Sequence, residues 1–213
     1  MKIREYKAGN FLLHKINPLI RFLIVSDMLI VGALGMFGPL YALFVEEFIP
    51  GADEFIIGLS ISVYLVSRSI LQIPLATIID KIKGERDDFL FLIIFNMLAA
   101  VIHLAYLGIS TIWQLLLIQF LLGMFTAVTY PSFMAIFTRH IDKHMEGTEW
   151  GVYYTFVDLS TAVLATLGGF LASELGFRAL IISVSMLCVL GTLMLLPIKV
   201  FMKKGPIPFL NKL

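Results

Sequence analysis

At 213 residues, 59% hydrophobic and 15% charged, with a mean hydropathy of +0.94, the chain is too apolar to cover itself with polar surface as a soluble fold of this size must. Its net charge of +1 says nothing about nucleic acid, because the charges are segregated along the chain, although no nucleic-acid partner is expected. The single cysteine, Cys188, leaves no disulfide framework and no multi-cysteine metal site. The chain starts with a basic stretch, but the first apolar segment is of spanning length and no small-residue cleavage site follows it. That pattern reads as a retained helix rather than a signal peptide.

Crossing the hydrocarbon takes roughly 20 apolar residues in a helix. Segments of that kind run near 19–45, 56–79, 89–109, 112–138, 150–173 and 178–198. The sequence therefore predicts an all-α membrane protein with six transmembrane helices over 19–198, flanked by basic segments 1–18 and 199–213. Local signals mark several boundaries. Asn17-Pro18 is a cap followed by proline at the first helical position. Asp87 and Asp88 open the third helix, where the helix dipole favours anions. Thr111-x-x-Gln114 has the capping-box spacing before the fourth, and Pro197 ends the sixth.

Basic residues orient the bundle. Lys2, Arg4, Lys7, Lys15 and Arg21 precede or open the first span, and Lys81, Lys83 and Arg86 lie between the second and third. Arg139 and Lys143 lie between the fourth and fifth, and Lys199, Lys203, Lys204 and Lys212 follow the sixth. Fourteen of 16 basic residues thus share one side, and the opposite side holds Arg178 beside Glu46, Glu47, Asp53 and Glu54. The positive-inside rule then predicts cytoplasmic termini for a multi-pass protein of the cell (inner) membrane.

Three charges remain inside the spans: Asp27 in the first, Arg68 in the second and Asp158 in the fifth. Each costs roughly 2.5–3.5 kcal/mol at the bilayer centre on insertion scales, so each needs a partner or water. Counted at about 1.5 Å per residue, all three lie near the midplane, close enough in depth to pair if their helices adjoin. Helical faces extend the pattern. Asp27 shares its face with Gly38 and Tyr41; Tyr64, Arg68 and Gln72 align; so do Gln119, Gly123, Thr126 and Tyr130; so do Gly151, Tyr154, Asp158, Ala162 and Gly169. Four helices thus carry a polar stripe containing a tyrosine, whereas the third offers only Asn96 and His103, seven residues apart. Such residues can act as interhelical glue. Three charges at one depth favour a water-accessible cavity, and two acids to one arginine leave one carboxylate able to bind and release a proton. Asp27 and Asp158 are equal candidates at this point.

The loop between the second and third spans reads Ala76-Thr-Ile-Ile-Asp80-Lys81-Ile-Lys83-Gly84-Glu-Arg86. It resembles the Gly-x-x-x-Asp-Arg/Lys-x-Gly-Arg-Arg/Lys signature of the major facilitator superfamily, with Asp80, Lys81, Gly84 and Arg86 matching. Leu167-Gly168-Gly169 and Gly176-Phe177-Arg178 resemble further family segments. The resemblance implies half of a major-facilitator-type bundle, a 3+3 inverted repeat. It places the first, second, fourth and fifth helices around the cavity and the third and sixth outside, and it makes Asp80, Lys81, Gly84 and Arg86 a gating loop. The fourth helix has Gln119-x-x-x-Gly123 where the family has Arg-x-x-x-Gly, and of the drug-antiporter pattern in the fifth only Gly168-Gly169 survives. Both departures argue against drug/proton antiport.

A full member of that family has about twelve spans, so two parallel copies would rebuild the whole. The expectation is a homodimer of half-transporters moving a small-molecule substrate by alternating access, coupled to protons, in the lipid bilayer. Asp27, Arg68, Asp158, Gln119, Tyr64, Tyr130, Tyr154, Gln72 and Tyr41 would line its cavity. The alternatives are a non-transporting membrane subunit or scaffold, one half of a hetero-oligomeric transporter, or a fragment of a longer one. The sequence contains no nucleophile-elbow serine and no His-Glu-x-x-His pair, and Gly51 stands where a Glu-Glu-x-x-x-Arg motif needs arginine. No enzyme activity, cofactor or metal is expected. A sugar, an amphipathic cation or a small metabolite would each suit the tyrosines and acids.

Overall fold

The structure, a computed structural model, describes residues 16–81 and 85–201. The order of elements is α1 (Pro18–Phe37), α2 (Tyr41–Phe48), α3 (Glu54–Lys81), α4 (Glu85–His103), α5 (Ile112–His140), α6 (Glu146–Leu193) and α7 (Ile198–Phe201). No strand occurs among the described residues. Among the described residues, five helical stretches are long and apolar enough to cross a membrane: Pro18–Phe48, Glu54–Ile79, Glu85–Leu107, Ile112–His140 and Glu146–Phe201.

The caps form as their residue types require. Asn17 accepts the Leu19 amide at 3.0 Å, with Pro18 following as the first helical residue. Thr111 and Gln114 close a full capping box at the start of α5. Pro39, in the 3-10 turn Gly38–Leu40, lacks the amide a continuous α-helix needs, and α1 and α2 part there.

The fifth and sixth predicted segments are joined in α6. A helix of 48 residues would be about 72 Å long, more than twice the roughly 30 Å of hydrocarbon. It does not run straight. Gly176 has φ 78° and ψ 171°, a backbone region only glycine occupies readily. Contacts on both sides of it show that the chain doubles back. Ser160 Oγ donates to the Met28 carbonyl at 3.0 Å, while beyond Gly176 the Cys188 thiol lies 4.0 Å from the Ile30 carbonyl and the Gly191 carbonyl accepts from Ser26 Oγ at 2.7 Å. Residues 146–175 and 177–193 therefore lie antiparallel along α1. Gly176→Ala should cost about 1–3 kcal/mol, read as a lower unfolding midpoint in detergent. An unchanged midpoint would show that the reversal does not need this backbone shape.

Helix α1 is clasped mainly by α6, α3 lies on α5, and α4 packs between α5 and α6. Two apolar clusters stack along the bundle. The first gathers Phe37, Tyr41, Phe44, Tyr106, Leu115 and Leu180, and the second Leu19, Leu23, Phe133, Phe137, Leu195 and Ile198. Asp27, Gln119 and Tyr153 lie where the two clusters meet.

Candidate functional site

A cavity of about 320 Å³ occupies that junction. Its polar lining is Asp27 from α1, Tyr64 from α3, Asn96 and His103 from α4, Gln119, Thr126, Thr129 and Tyr130 from α5, and Tyr153 from α6. Apolar walls come from both clusters, Leu122 and Cys188 from one and Leu92 and Phe133 from the other.

The Asp27 carboxylate accepts the Tyr153 hydroxyl at 2.6 Å. Tyr153 packs against Phe133, Phe137 and Trp150, which fix its ring. One acid in a largely apolar chamber, anchored by one phenol, can bind a proton or a cation and release it. Sequence reasoning missed Tyr153 because the α6 stripe was anchored on Asp158. The face that meets α1 is instead Tyr153, Val157, Ser160, Leu164 and Gly168, spaced by four, three, four and four. Small and hydroxyl residues recurring at that spacing were the available signal.

The other predicted site residues are distributed differently. Tyr64 donates to Thr126 at 3.4 Å across the cavity wall. Gln119 donates to the Tyr41 hydroxyl at 2.6 Å, and Tyr41 is within 2.6 Å of Ser60 Oγ. Tyr41 is buried in the first cluster and does not line the cavity, whereas Gln119 does. Arg68 reaches Gln72 at 3.3 Å and lies 4.8 Å from the centroid of the Tyr130 ring. The pairing of Arg68 with an aspartate is absent among the described residues, because α3 packs on α5 rather than beside α1. Asp158 and Tyr154 are exposed on the side of α6 turned away from α1, with Val163 and Phe170. Asp158 has no hydrogen bond or ion pair among the described residues. The resemblance put the third and sixth helices outside the cavity; here α4 supplies Asn96 and His103, and the part of α6 beyond Gly176 supplies Cys188.

Of the predicted gating residues, Gly84 lies outside the described residues, as does the side chain of Asp80. Lys81 is exposed and Arg86 half-buried, neither with a hydrogen bond among the described residues. At this end of the bundle Arg139 pairs with buried Asp88, His140 lies 3.8 Å from Glu85, and the Asn17 amide donates to the His140 carbonyl at 3.4 Å. The beginnings of α1 and α4 are thereby tied to the end of α5.

Residues 23–210 match the family model of the Major Facilitator Superfamily. The chain belongs to the major facilitator superfamily. It is a multi-pass membrane protein of a transporter family. Among curated members, it is 26% identical over 166 residues to multidrug resistance protein MdtG of Dickeya zeae and 26% identical to MdtG of Salmonella schwarzengrund. With MdtG of Salmonella arizonae the identity is 25%. Each match covers 76% of this chain and 40% of the relative, so the chain spans about two-fifths of the length of these superfamily relatives.

Proposed function

We propose that this chain forms one wall of a secondary active transporter that exchanges protons for a small organic cation by alternating access. Asp27 is the carboxylate that binds either one. The observation that carries the reading is the Asp27–Tyr153 pair, which holds the one carboxylate in the lining of a chamber with aromatic and apolar walls. A lone acid among aromatic rings favours a delocalised cation over a sugar, which needs many directed hydrogen bonds. The multidrug resistance named in the relatives points the same way, against the expectation drawn from the depleted fifth-helix motif.

In this reading the helices make six crossings, with the fifth and sixth meeting at Gly176, arranged as a 3+3 inverted repeat in the cell (inner) membrane with both termini cytoplasmic. The exposed face of α6 supports the presence of a second wall. Asp158 at mid-depth cannot face lipid without a cost of roughly 2.5–3.5 kcal/mol, so that face meets water or another bundle. A second copy in parallel orientation supplies such a wall. The six-helix half from a different chain is the competing source.

Purified protein in liposomes with an acidic interior should accumulate tetraphenylphosphonium, and its mass in nanodiscs should be that of two chains. A single-chain mass with no uptake would replace this reading with that of a subunit of a larger assembly.

A further inference from the structure

Asn96 and His103 form a second polar pole of the cavity. Both lie on α4 and line the chamber, seven residues apart, which is about 10 Å along a helix. Polar residues that glue membrane helices bond across to a neighbour. Neither of these does. Asn96 has no hydrogen bond among the described residues, and the His103 ring bonds only within its own helix, Nδ1 lying 2.5 Å from the Ala99 carbonyl. A carbonyl can only accept, so Nδ1 carries the proton and Nε2 of the neutral ring keeps its lone pair. His103 is 6% exposed and lines the cavity. By contrast, Tyr64 and Gln119 of the same chamber are engaged by Thr126 and Tyr41.

We propose that the α4 wall, through His103 Nε2 and the Asn96 amide, selects cations that also carry an N–H or O–H donor. The ligand class is then an organic cation whose charge sits at Asp27 and whose donor group reaches α4. The inference rests on the reading that the cavity takes an organic cation. It adds to it a specificity element on a helix that carries no charge inside the membrane.

The test compares two probes that differ by one donor group, tetraphenylphosphonium and its (4-aminophenyl)triphenylphosphonium analogue, by equilibrium binding to the intact protein in nanodiscs. The wild type should prefer the amine by about tenfold, the worth of one satisfied neutral hydrogen bond. His103→Leu should bring the ratio of the two affinities close to one, Asn96→Leu should lower it, and His103→Gln, which keeps an acceptor, should retain part of it. The ratio is insensitive to any loss of fold that weakens both probes alike. Equal affinities in the wild type, or a preference untouched in both leucine variants, overturn the inference while leaving the cation reading intact. Failure of both probes to bind the wild type, or binding indifferent to Asp27→Asn, overturns the cation reading and this inference with it.

Discussion

Asp27→Asn is expected to abolish proton-driven uptake, lowering it by more than roughly tenfold, because the amide that replaces the carboxylate cannot carry a proton or balance a cation. The substitution is nearly isosteric, and the asparagine side chain can still accept from the Tyr153 hydroxyl that now lies at 2.6 Å. The fold should therefore survive, which a size-exclusion profile checks. Tyr153→Phe is the milder counterpart. It removes a hydrogen bond to a charged group, worth about 1.5–3 kcal/mol, and should move the pH at which uptake is half-maximal without eliminating transport. Asp158→Asn provides the contrast. If Asp158 carries the proton instead, its replacement stops uptake and that of Asp27 does not. The measurement is tetraphenylphosphonium accumulation in liposomes across a range of imposed pH gradients, with the three variants side by side.

Gly168→Val should give the largest loss of stability of any single exchange considered for the α1–α6 contact. A Cβ at Gly168 would lie 2.5 Å from the Met36 carbonyl oxygen and 2.8 Å from Met36 Cα. Those are backbone atoms, so relief requires one helix to move rather than a side chain to rotate. Overpacking of this kind costs about 1–3 kcal/mol, occasionally more. Here the displaced contact also supports Ser160, which bonds Met28, and Tyr153, which holds Asp27. Both stability and transport should fall together. Gly169→Val is the control, since a Cβ there meets nothing within 4 Å. Similar unfolding midpoints for the two variants would mean that α1 and α6 are not in close contact through Gly168.

The contrast between these adjacent glycines marks how much the sequence could say. Gly168-Gly169 was legible as a family feature, but which of the two faces α1 depends on the rotation of α6 about its own axis. A repeating one-helix pattern fixes that rotation only when one face is much more polar than the rest. On α6, Asp158 dominated the pattern and drew attention to the face that lies exposed. The face that meets α1 carries no charge: a phenol, small hydroxyl residues and a glycine stand among aliphatic residues.

What the sequence determined by itself was whatever local chemistry decides. Apolar runs of spanning length, the Asn17 and Thr111 caps and the superfamily loop follow from residues close together in the chain. The position of Asp27 within the first apolar run was legible for the same reason, being a count along one helix. Tertiary structure decided which helices adjoin. Partners across a bundle are separated by dozens of residues, as Asp27 and Tyr153 are by 126, and helical periodicity carries no information about them. Hence Arg68 stacks near Tyr130 instead of pairing with an aspartate, Tyr41 bonds Gln119 outside the cavity, and α4 turns Asn96 and His103 into it. The choice between Asp27 and Asp158 rests on the same physics: only the packing of α1 against α6 distinguishes an acid enclosed with a phenol from one left on an open face.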